Sequence, residues 1–183
     1  LLHDPCHEVL EFLGDVERDL LTLLALQSQA LDETVYGEEL GMWAVCPAEH
    51  RFSENYGIMP RVEHFLSYVA GATKKVKLWP MVIMAPLRQP IQLAEDTALI
   101  DNFSDGRLVF SVGSGYRRYE FKPFQQDMAE NTDRLREITD LTVRLWTEGE
   151  VTHHGQHYHV EGASLQPRPV QTPHPPVYLT TTR

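Results

Sequence analysis

From residue 42 onward, short runs that are apolar along their whole length alternate with longer stretches that are apolar on one side only. This alternation restricts the fold more than any other feature of the chain. The short runs, Met42 to Pro47, Val76 to Ala85, Leu108 to Gly113 and Val177 to Thr182, have the length of strands. Between them Val62 to Ala72, Ile91 to Phe103 and Thr132 to Trp146 carry helical spacing, and Asp19 to Glu39 does so ahead of the first run. In Ile91 to Phe103 the stripe is Leu93, Thr97, Ile100 and Phe103. In Thr132 to Trp146 it is Leu135, Ile138, Leu141, Val143 and Leu145. The helix stops are Gly41, Ser104-Asp105-Gly106 and Glu148-Gly149. Nearer the start, Asp4-Pro5 reads as a helix opening and Val9 to Leu13 as the one short candidate for an earlier strand.

Strands that are apolar on both faces and separated by amphipathic helices form a parallel sheet covered on both sides. The fold class is therefore α/β, as a barrel or as an open doubly wound sheet. A dinucleotide-binding sheet places its GxGxxG after the first strand. Here the nearest match, Gly113-Ser114-Gly115-Tyr116-Arg117-Arg118, comes late and has arginine at the third glycine. The parallel (β/α)8 TIM-type barrel is the preferred reading. A full barrel takes about 250 residues, so this chain is expected to be an incomplete one, about five strand-helix units in a single domain over residues 1–183. Leu1 in place of methionine, and a last strand still running near Arg183, fit the N-terminal part of a longer barrel.

A formal charge of -10 and a pI near 5.3 argue against nucleic acid or an anionic membrane surface as partner. Cys6 and Cys46 have no CxxC spacing, so neither a zinc site nor a disulfide framework is expected, and a reducing cytoplasm fits. No run approaches the roughly 20 apolar residues of a membrane span, and the first residues lack the pattern of a secretion signal.

In parallel α/β folds function sits at the carboxyl ends of the strands and stability at the other end. The ends to inspect are Glu49-His50, Ala85-Pro86, Gly113-Ser114-Gly115 and Thr181 to Arg183. Imidazole can take and return a proton near neutrality, which makes His50 the catalytic candidate, with Glu49 beside it to hold or hydrate the ring. The alternative is a solvent-exposed loop histidine. Gly113-Ser114-Gly115 is either a cradle for an anion, with Arg117 or Arg118 supplying charge, or simply a tight turn. Asp101, Ser104 and Arg107 fall at the opposite end and read as turn and ion-pair structure. His153-His154-Gly155-Gln156-His157-Tyr158-His159 invites a metal reading through His157 and His159. Gly155 placed as a turn, with no nearby carboxylate or thiolate, favours a hairpin instead.

Taken in order, Ala48-Glu49-His50, Pro90 to Asp96, Asp101 to Arg107, Val112 to Gly115, the Gly155 turn and Pro167 to Gln171 leading into Pro175 to Tyr178 resemble the bacterial luciferase-like flavin monooxygenases over about residues 38 to 182. The resemblance implies a (β/α)8 barrel binding reduced FMN at its carboxyl-terminal mouth. There O2 and a small organic substrate, aldehyde-like or similar, react through a flavin peroxide. It also implies a flavin reductase as supplier of reduced flavin and a homodimer. His50 becomes the proton-transfer residue, and Glu49 joins the cofactor side of the site. A non-prolyl cis peptide against the flavin ring is expected at Met81-Val82. Flavin phosphate contacts are expected from Gly113, Ser114 and Gly115 and from the strand end at Thr182. A reactive flavin needs a dry site, and Met81, Val82, Ile83 and Met84 would give it an apolar wall. A deazaflavin-dependent hydride-transfer enzyme of the same fold and a non-catalytic flavin-binding partner subunit remain as alternatives.

Overall fold

The structure is a computed structural model that describes residues 15–53 and 59–180, with side chains from residue 25 onward. The candidate strand at Val9 to Leu13, the helix opening at Asp4-Pro5 and Thr182 lie outside the described residues. The first helix, α1, runs over Asp15–Glu39. Gly41, at φ +89, turns the chain out of it, as only glycine does cheaply. There follow β1 (Ala44–Val45), α2 (Val62–Ala72), β2 (Lys77–Leu78), β3 (Ile83–Met84), α3 (Pro90–Phe103) and β4 (Phe110–Gly113). The chain goes on through the short α4 (Arg118–Phe121), α5 (Asn131–Thr147), β5 (Val151–His154), β6 (His159–Ala163) and β7 (Val177–Thr180).

Except in the β5–β6 hairpin, every strand pair is parallel. Ala44 lies opposite Lys77, Leu78 bridges to Leu108, Ile83 lies opposite Val112, and β4 pairs with β7 from Phe110/Val177 to Gly113/Thr180. Among the described strands spatial neighbours follow chain order: β1, then β2 with β3, then β4, then β7. The reversal of strand order that marks a doubly wound sheet does not occur among them. The run Val76 to Ala85, expected as one strand, is divided. Its first part pairs with β1, along which Trp79 and Met81 still donate to the Val45 and Pro47 carbonyls at 3.0 and 2.9 Å, and its second pairs with β4. Pro80 has no N–H to give a ladder, and Ala85–Leu87 closes into a 3-10 turn around Pro86.

Helices cover this sheet because their apolar residues recur every three or four positions. Leu66, Val69 and Ala70 of α2 close over Val76, Leu78 and Leu108, while Val62 joins the second cluster with Ile83 and Phe110. Leu93, Ala94 and Ala98 of α3 meet Leu135, Ile138, Leu141, Leu145 and Trp146 of α5 above Ile83, Phe110 and Val112. The Trp146 indole N–H donates to the Ala94 carbonyl at 3.0 Å, and its ring stands edge-on to Phe110 with centroids 4.9 Å apart. The stripe expected on α3 is corrected at its end: Phe103 is 61% exposed, whereas Asp101 is fully buried. Buried Asp101 accepts the main-chain and side-chain N–H groups of Gln171 at 3.0 and 2.6 Å, which ties the proline-rich segment to α3.

Arg107 also departs from the expected ion pair. Its guanidinium donates to the carbonyls of Ala70, Thr73, Val76 and Ser104 and to the Thr73 hydroxyl, at 2.7 to 3.1 Å. Helix ends leave carbonyls without intrahelical partners, and one buried arginine satisfies several of them here. The histidine-rich stretch forms the expected antiparallel hairpin, with the Gly155 N–H donating to the Tyr158 carbonyl at 3.0 Å. A carboxylate that spacing did not reveal holds it. Glu137 of α5 lies 3.0 Å from the His153 ring and accepts the N–H groups of His157 and Tyr158. The side chain of His157 is tucked in while His159 is exposed, so the two do not converge on an ion. Among the described residues no helix is long and apolar enough to cross a membrane.

Candidate active site

At the carboxyl ends of the parallel strands a cleft of about 320 Å³ is lined by Ala48, Glu49 and His50 after β1, Met81, Val82 and Met84 around β3, Gly113 to Tyr116 after β4, and Thr180 at the end of β7. Of the eight positions singled out from sequence as catalytic or cofactor-binding, seven line this one cleft, and Thr182 lies outside the described residues. The Met81–Val82 peptide is cis, at the position the resemblance implied. Met81, Val82 and Met84 give the cleft an apolar wall.

The two glycines serve close packing. A Cβ on Gly113 would stand 2.5 Å from Val82 Cγ2 and 3.2 Å from the Thr180 carbonyl oxygen. Gly115 has φ +74, and a Cβ there would run into the ring of Phe121. Ser114 is buried between them. Its amide donates to the Thr180 carbonyl at 3.3 Å, and its own carbonyl accepts from the Asn131 amide at 3.0 Å. That amide is therefore used by the sheet and does not cradle an anion. Arg117 stacks over the rings of Tyr116 and Tyr119 and donates to the Tyr119 hydroxyl at 2.8 Å. Neither Arg117 nor Arg118 is among the described residues lining the cleft.

His50 is only 9% exposed, which removes the reading of a solvent-exposed loop histidine. Its ring is held by a residue that sequence reasoning missed. Nδ1 lies 3.0 Å from Oε1 of Glu120 on α4, and the same oxygen accepts the Arg51 N–H at 3.1 Å. The Tyr116 ring stands edge-on to the imidazole, centroids 6.2 Å apart.

Glu49, expected to hold His50, turns the other way. Its carboxylate pairs with Arg51, accepts from Arg88 at 2.6 Å and from the Met84 N–H at 3.2 Å, and Arg88 in turn binds Glu63 of α2 at 2.8 Å. Burial pushes the Glu49 carboxyl up to about 7 against the pull of Arg88 and Arg51. Burial works against the Arg88 charge as well, yet Glu49 and Glu63 together hold its proton more tightly than usual. Glu63 feels the same burial, but the hydrogen bond and charge of Arg88, with a backbone hydrogen bond and the charge of Arg61, together outweigh it and leave that carboxyl below its ordinary range. The cluster joins the β1 loop, β3, the turn after it and α2 beneath the cleft. Separations of 25 to 70 residues between partners hid both networks from a reading along the chain. The one sequence signal for Glu120 is that it follows a strand's carboxyl end within a few residues.

The family model for luciferase-like monooxygenases matches residues 25–183. The chain belongs to this family. Among its curated relatives, the oxygenase component of a flavin-dependent trigonelline monooxygenase from Acinetobacter baylyi is 30% identical over 159 residues, 84% of this chain and 44% of that protein. An FMNH2-dependent dimethylsulfone monooxygenase from Pseudomonas putida is 30% identical over 133 residues, 70% of this chain and 36% of that one. In three dimensions the luciferase-like chain superposes on the crystal structure of the monooxygenase RslO1 from Streptomyces bottropensis with a TM-score of 0.81 and 31% identity, covering 84% of this chain and 46% of that one. The chain spans less than half the length of each of these relatives.

Proposed function

We propose that this luciferase-like chain belongs to a reduced-flavin monooxygenase that inserts one atom of O2 into a small organic substrate. Residues 1–183 then form one domain, the N-terminal part of a (β/α)8 barrel. The observation that carries the reading is the gathering of His50, the cis Met81–Val82 peptide, the Gly113 to Gly115 bend and Thr180 around a single cleft at the strands' carboxyl ends. Ligand sites of the barrel fold lie at this end.

The lining fits the ring system of a reduced flavin. Met81, Val82 and Met84 offer an apolar wall, and His50 and Ser114 bring polar atoms to the same space. When bound, reduced FMN supplies the two electrons that let O2 be split between substrate and water. The chain's residues do the rest. The apolar wall keeps water from the reacting atoms. Glu49, fixed between two guanidiniums, anchors the loop that carries His50 and holds the Met84 N–H in place. His50 moves a proton at its ring nitrogen. Gly113, Ser114 and Gly115, with Thr182, are proposed to face the flavin's phosphate-bearing tail, Ser114 through its hydroxyl since its amide is engaged by Thr180. The trigonelline relative is named as an oxygenase component, which supports a separate flavin reductase as the source of reduced FMN.

The test is turnover with an FMN reductase under 18O2, over a panel of small aldehydes, sulfones and N-heterocyclic acids. One labelled oxygen per product molecule is expected. Unlabelled product, or equal turnover without O2 when a reduced deazaflavin is supplied, overturns the reading in favour of hydride transfer.

A further inference from the structure

The proton-transfer reading of His50 leaves open what fixes its tautomer. Glu120 is fully buried, and its Oε1 lies 3.0 Å from His50 Nδ1 and accepts the Arg51 N–H at 3.1 Å. Its second oxygen, Oε2, is buried with no hydrogen-bond partner among the described residues. A buried carboxylate with so few donors is costly unless its neighbours compensate it, and an imidazole N–H or imidazolium is the strongest compensation within reach. An ionised carboxylate can only accept, so an imidazole facing it must carry hydrogen on Nδ1. Acid–base work then falls to Nε2 on the far edge of a ring that lines the cleft.

We propose that Glu120 is a positioning residue for His50. It holds the imidazole as the Nδ1–H tautomer, directs Nε2 to proton exchange in the cleft and stabilises the imidazolium that forms when Nε2 takes a proton. This inference rests on the proton-transfer reading of His50 only for its use in turnover. The contact itself stands on geometry. The other charged or titratable groups about the ring, among the described residues, are Tyr116 from the loop after β4 and, on its own loop, Glu49 and Arg51. Glu49 and Arg51 are paired with each other, and Glu49 is further engaged by Arg88. Among the described residues Glu120 is thus the carboxylate in direct contact with the imidazole.

Nitrogen-15 NMR of histidine-labelled intact protein tests this without a substrate, with the His50 signals assigned by their loss in His50→Asn. In the unsubstituted protein at high pH, His50 is expected as the Nδ1–H tautomer. Glu120→Gln keeps the shape but can turn either its oxygen or its NH2 toward the ring, and it is expected to let the Nε2–H form appear beside the Nδ1–H form. Glu120→Asp keeps an acceptor-only carboxylate at a greater distance and is expected to release the tautomer in the same direction by less, which also serves if the amide variant folds poorly. An Nε2–H tautomer in the unsubstituted protein, or a tautomer ratio unmoved in both variants, overturns the inference. Failure of the 18O2 experiment with the tautomer ratios as expected falls on the proposed function, while the converse falls on Glu120.

Discussion

At the scale of single residues, the group proposed to exchange a proton, His50, is distinct from the groups that hold it. The place of His50 in the cleft was legible in the sequence because imidazole chemistry and a position after a strand coincided. Its partner was not, because Glu120 lies 70 positions away on a four-residue helix that no periodicity announces. Glu49 was legible as a residue of the cleft but not in its direction, since Arg51 and Arg88 claim its carboxylate. His50→Asn leaves an amide N–H near Nδ1 to meet Glu120 and removes the exchangeable proton. Turnover with reduced FMN, O2 and any accepted substrate is expected to fall about 100-fold, the usual size of a general acid–base contribution. Circular dichroism is expected to show the fold retained. Unchanged turnover would remove His50 from the chemistry.

At the scale of elements, the alternation of wholly apolar runs with one-sided helices was sufficient to find the strands and helices that build the cleft. Val62–Ala72 was found to the residue and Pro90–Phe103 and Asn131–Thr147 within a residue at each end. The divided strand at Val76 to Ala85 was not legible, since hydropathy reports burial and is blind to which neighbour supplies the hydrogen bonds. Arg107 was misread for a related reason. A turn arginine beside Asp101, Ser104 and Asp105 suggests a carboxylate partner, yet its guanidinium binds four carbonyls and a hydroxyl that close α2 and the loop into β2 against the turn after α3. Arg107→Met keeps most of the volume and leaves those buried carbonyls without donors. Stability is expected to drop by about 3 kcal/mol, read as a lowered midpoint in urea unfolding. A loss below about 0.5 kcal/mol would show that water replaces the guanidinium at no great cost.

At the scale of the whole molecule, parallel strands taken in chain order bring their carboxyl ends to one side, so residues 50, 81–82, 113–115 and 180 meet without being near one another in sequence. That convergence was legible, because it follows from parallel topology alone. The detailed floor of the cleft was not. Gly113 is required by the closeness of Val82 and the Thr180 carbonyl, contacts that exist only once β3, β4 and β7 are assembled. The most direct measurement is anaerobic titration of the protein with reduced FMN, followed by flavin absorbance and fluorescence, alongside Gly113→Ala. The account predicts one saturable site per chain, weakened about tenfold or more in Gly113→Ala, where the added methyl displaces Val82 at the cleft wall. Saturable binding that is the same in both proteins, or none in the unsubstituted one, would contradict the claim that this cleft is the flavin site.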